Sequence, residues 1–84
     1  MQIRYTRHAL RRMQQRKITR EDVQLTLDVP DDFILGDMGE TIAVRNFGSR
    51  EIRVVYGIEP MWEFGGERGE EVLVIYTVMK PKVR

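Results

Sequence analysis

Thr41-Ile42-Ala43-Val44-Arg45-Asn46-Phe47 and Glu51-Ile52-Arg53-Val54-Val55-Tyr56 decide the fold. Both runs are rich in β-branched and aromatic residues, and Gly48-Ser49 between them is a turn signal, so they read as two strands of a hairpin. The alternating period reaches back to about residue 33 and forward to about residue 79. Strands are expected at about 33–36, 41–47, 51–58 and 71–79, joined by Asp37-Met38-Gly39, Gly48-Ser49 and a long turn from Glu59 to Gly69.

Upstream of Phe33 the period is helical. Thr6 caps a helix from Arg7 to about Arg16, whose apolar positions are only Ala9, Leu10 and Met13. Thr19 opens a second helix with Asp22 in the capping-box position, Val23 and Leu27 one turn apart, and Pro30 as its stop. Lys17-Ile18 leaves room only for a tight turn, so the helices form a hairpin. The expected architecture is α+β: an N-terminal helical hairpin packed on a four-stranded antiparallel sheet.

The run Val72 to Met79 is apolar on both faces. Such a strand is covered on both sides or offers a patch, around Leu73, Ile75 and Met79 or around Val72 and Val74, to a partner. Trp62 and Phe64 sit beside glycines in the long turn. They read as a lid folded back on the sheet or as a mobile stacking surface.

With 84 residues the chain makes one domain. A core of that size leaves no room for a deep closed pocket, so a site is expected as an open groove. No cysteine is present, which excludes disulfides and a thiol nucleophile, and one histidine leaves zinc with few ligands. Neither a metal nor a cofactor is expected. Without a membrane-length apolar run or an apolar signal segment, the expected location is the cytoplasm and no membrane partner is expected.

The net charge of +1 hides a strong asymmetry. Residues 1–20 carry seven basic and no acidic side chains, and residues 21–40 carry seven acidic and no basic ones. Six of the seven bases are arginine, whose planar fork suits phosphate. His8, Arg12 and Arg16 recur every fourth residue along one side of the first helix. His8 is the one side chain with an ordinary pKa suited to proton transfer near neutrality. Chemistry that needs only His, Arg, Tyr or Thr is metal-independent cleavage of RNA. There the substrate's 2′-hydroxyl is the nucleophile, and the protein supplies proton transfer and a cationic clamp on the phosphorane.

The candidate catalytic residues are therefore His8, Arg12, Tyr76 and Thr77. Arg11, Arg16, Lys17, Arg45 and Arg53 are the candidate phosphate-binding residues. The competing reading makes the His-Arg-Arg line a structural network tying the first helix to the acidic second one, in a non-enzymatic interaction module.

The pattern His8-Ala9-x-x-Arg12-Met13-x-x-Arg16-x-Ile18, followed by Glu21-Asp22-Val23 and the closing Val74-Ile75-Tyr76-Thr77-Val78, resembles a small bacterial family of unknown function with the signature HAxxRMxxRxI. That family is similar to the RelE/ParE toxin superfamily. The resemblance implies a RelE-like fold and a toxin-like ribonuclease role. It also implies RNA or ribosome-bound mRNA as substrate and an acidic antitoxin as protein partner. On the interaction-module reading, the two-faced run Val72 to Met79 is a homodimer or antitoxin interface. Where the family usually has glycine before the isoleucine, this chain has Lys17.

Overall fold

A computed structural model of the chain describes residues 2–81. Its elements are β1 (Gln2–Tyr5), α1 (Arg7–Arg16), α2 (Arg20–Asp28), β2 (Asp32–Leu35), β3 (Thr41–Asn46), β4 (Glu51–Pro60), a 3₁₀ turn (Met61–Phe64) and β5 (Glu71–Met79). The class is α+β, but the expected four-stranded antiparallel sheet is wrong. The sheet has five strands in the order β1-β5-β4-β3-β2, and it is mixed because β1 pairs parallel to β5. β1, residues 2–5, is the strand that the expected architecture lacks. They alternate Gln2, Ile3, Arg4, Tyr5, but four residues with a partner near the other end of the chain give a weak local signal.

This extra strand explains the two-faced β5. With β1 on one side and β4 on the other, β5 is interior, and the helices cover one of its faces. Val72, Val74, Ile75 and Val78 are buried by the chain itself, and Leu73 packs against the core. Of the two readings of this strand, covered on both sides or offering a patch to a partner, the burial supports the first. Val54 pairs with Val78, Val55 with Thr77, and Tyr56 with Ile75, so Tyr76 is the extra residue of a β-bulge. The bulge shifts the alternation by one and lets Ile75 and Val78 both enter the core between sheet and helices.

That core joins Ala9 and Met13 of α1, Ile18 of the turn and Val23 of α2 to Ile52, Val54, Ile75 and Val78. Thr6 fixes the start of α1. Its hydroxyl accepts from the Ala9 N–H at 3.0 Å and donates to the Tyr76 carbonyl at 2.9 Å, at the bulge. The capping box at α2 is formed: Asp22 N–H donates to the Thr19 hydroxyl at 3.1 Å, and Thr19 N–H to the Asp22 carboxylate at 3.0 Å.

Lys17 ends α1 in the left-handed conformation, φ 54 and ψ 44. Ile18 N–H then reaches back to the Met13 carbonyl at 2.9 Å, a helix-closing turn that glycine adopts without strain. The structure thus supplies the reason a glycine suits this position. From the β3–β4 turn, Arg50 clips the hairpin, donating to the Lys17 carbonyl at 3.2 Å and the Asp22 carboxylate at 2.8 Å.

Candidate functional site

The proposed site residues fall into three separate places. His8, Arg11 and Lys17 are exposed on α1 and its turn, and Arg12 and Arg16 are half-buried. The helix buries Ala9 and Met13, so Arg7 and Arg11 lie at the opposite, most exposed pole. A four-residue step overshoots a full turn by roughly 40°. The line His8, Arg12, Arg16 therefore winds from solvent toward the core edge, where Arg16 Nε is buried with no partner. Arg12 donates to Gln15 at 3.4 Å. Arg7 was missed by looking for histidine spacing, although its separation from Arg11 puts both on one side.

Among the described residues the ion pairs are Arg50–Asp22 and Arg53–Glu51, each at 2.8 Å. Neither uses an α1 side chain, so no salt bridge ties the basic helix to the acidic one. Arg20 stacks 4.7 Å above the Tyr5 ring instead of meeting a carboxylate. Arg7, Arg11 and Lys17 are exposed on α1 and its turn and make no salt bridge among the described residues, which leaves their charge open to a polyanion.

Arg45 and Arg53 do not extend one clamp. Arg45 pairs with Ile52, a core residue, so it lies on the helix-covered face, where it donates to the Val29 carbonyl at the end of α2 at 2.7 Å. Arg53 pairs with Val44 on the opposite face and is held by Glu51. An adjacent-strand reading needs the register before it can say which face a side chain uses.

Thr77 pairs with Val55, and Tyr76 lines a cavity with Val55 and Gly57, so both belong to the open face. The sheet separates them from His8. Burial raises the Tyr76 phenol above its ordinary pKa, helped by Glu59 as acceptor for its proton and by the negative charges of Glu59, Glu63 and Glu40. A phosphate would be repelled there. Asp22 moves the other way. Burial opposes its ionisation, but hydrogen bonds from Thr19 and Arg50 and the charge of Arg50 outweigh that and hold the carboxyl below its usual range.

The turn aromatics divide their roles. Both remain exposed, but the Arg4 guanidinium lies 4.4 Å from the Phe64 ring centre, while Trp62 is the more exposed of the two. Among the described residues no three His, Asp or Glu side chains converge as a metal centre, and no helix is long and apolar enough to cross a membrane.

Compared with known proteins, the chain matches the model of a family described as a domain of unknown function (DUF4258) over residues 5–61. No curated protein and no solved structure matches.

Proposed function

We propose that this chain, which belongs to the DUF4258 family, binds RNA through the outer face of α1 and acts as a small toxin-like protein related to the RelE/ParE superfamily. The observation that carries the reading is that Arg7, Arg11 and Lys17 stand exposed on α1 and its turn without a salt bridge among the described residues. A solvated structural face would be expected to meet the acids of α2, and among the described residues none of its charges does. Arginine forks at the exposed pole would clamp successive phosphates, with Arg12 alongside. The finer part of the proposal is metal-independent cleavage: His8 takes the proton of the 2′-hydroxyl as its oxygen attacks phosphorus, the P–O5′ bond breaks, and the 5′-oxygen leaves as a hydroxyl with a proton from water. Tyr76 and Thr77 take no part in it, because they lie across the sheet. RNA or ribosome-bound mRNA would be the substrate, and an acidic antitoxin would compete for the same helix.

Two variants test the levels separately. Arg7→Gln with Arg11→Gln is expected to weaken RNA binding, and His8→Ala to abolish cleavage while leaving binding and melting temperature nearly unchanged. Unaltered RNA affinity in the arginine variant would overturn the binding reading. Unaltered cleavage in His8→Ala would remove the catalytic assignment.

One observation favours the alternative, a non-enzymatic interaction module. Edge strand β2 is exposed throughout, with Phe33 54% and Leu35 78% exposed and Met38 beside it at 90%. An apolar edge of this kind pairs readily with another strand, and the occupant proposed is β2 of a second copy in a homodimer. Sedimentation of wild type against Leu35→Lys tests it: a monomer in both would refute this interface.

A further inference from the structure

The cavity on the open face has a chemistry opposite to that of α1. It is an open depression of about 490 Å³ between Met38, Glu40, Val55, Gly57, Ile58 and Tyr76. That is the size range of small-molecule sites. Gly57 forms its floor. A Cβ at that position would sit 2.6 Å from the Tyr76 hydroxyl and 3.0 Å from the ring, so only bare backbone lets the phenol lie across β4. Met38, Val55 and Ile58 supply apolar walls. The polar end is an aromatic ring with Glu59, Glu63 and Glu40 around its hydroxyl, and no lining residue is basic.

An aromatic ring, the Glu40 carboxylate and a short apolar wall in one concavity, with Glu59 beside the Tyr76 hydroxyl at its border, match one kind of ligand. The ring quadrupole and the carboxylates attract positive charge, and the wall takes up a few methylenes. We propose that this cavity binds an organic cation, an ammonium or guanidinium on an aliphatic stem, with its charge against Tyr76, Glu40 and Glu59. Two sources share that chemistry: a free amine, and a lysine or arginine side chain presented by another polypeptide. The site stands apart from α1 and does not depend on RNA binding there.

The test is calorimetric titration of the whole protein with agmatine, with putrescine and with a doubly blocked arginine amide, beside an uncharged analogue of agmatine. One agmatine per chain is expected, with no binding of the uncharged analogue. Glu59→Gln and Glu40→Gln should each weaken binding about 5- to 10-fold, the loss of one charge-assisted contact. Arg7→Gln with Arg11→Gln and the helix variant Glu21→Gln should leave it unchanged. Tighter binding of the free amines assigns the site to a free cation, and binding of the blocked arginine at least as tight assigns it to a side chain. No saturation by any cation up to about 10 mM, or equal weakening by Glu21→Gln, would overturn the proposal. Circular dichroism of the Gln variants must match wild type, and both replace partly exposed carboxylates, so folding does not confound the reading.

Discussion

Replacing Asp22 by Ala should destabilise the fold by an amount that the geometry sets and pH removes. The carboxylate accepts from the Thr19 N–H at 3.0 Å and from Arg50 at 2.8 Å. The Asp22 N–H to Thr19 hydroxyl bond is a backbone donation and survives in the variant. Half a capping box is worth roughly 0.5–1 kcal/mol. The ion pair is partly solvated, with side chains 29% and 16% exposed, so after screening it adds roughly 0.5–1 kcal/mol. The total of about 1–2 kcal/mol lowers the melting temperature by roughly 4–16 °C in a domain of this size. The sign follows from the depressed pKa. The stabilisation is present above the ordinary carboxylate value of 3.8 and is lost as pH falls through the lower folded value. Scanning calorimetry of both proteins at neutral pH and at about pH 2 should show a gap that closes in acid. A gap of the same size at both pH values would refute the electrostatic account, and a gap under about 0.5 kcal/mol at neutral pH would refute the capping role.

Lys17→Gly removes the strain of a left-handed lysine at φ 54 and should raise stability by up to about 1 kcal/mol, read as a higher denaturation midpoint. Gly57→Ala drives a methyl group into the Tyr76 hydroxyl and should cost roughly 1–3 kcal/mol, and adding Tyr76→Phe should restore part of it in a double-mutant cycle. Because the Tyr76 pKa is raised, the folded state keeps a proton that the unfolded state loses near pH 10. Wild type should therefore lose stability above about pH 10 that Tyr76→Phe does not lose, measured by urea titration at two alkaline pH values.

The parts of the fold that rest on neighbouring residues were legible. Thr6 and Thr19 with Asp22 mark both helix starts, and the alternation around Gly48-Ser49 marks the β3–β4 hairpin. The parts that rest on distant pairing were not. β1 is four residues long and finds its partner near the other end of the chain, so its alternation carried too little weight to call a strand. Without β1, the interior position of β5 was hidden, and the sequence left open whether the chain itself or a partner covers it. The separation of the candidate site residues was hidden for the same reason. Spacing along α1 grouped His8 with Arg12, but only strand register separates Arg45 from Arg53, and only the bulge assigns Tyr76 to the open face. The carboxylates around Tyr76 are spread from Glu40 to Glu63 and have no sequence spacing that would join them.

The central claim, that α1 presents unpaired positive charge to RNA, is tested most directly by the salt dependence of binding to a short single-stranded RNA. If about 4 of the cations on α1 and its turn each neutralise one phosphate, the slope of log K against log salt should be near −3, at about −0.7 per phosphate. Arg7→Gln with Arg11→Gln should flatten it by about 1.4. A slope indistinguishable from zero, or a slope unchanged by the double variant, would contradict the account.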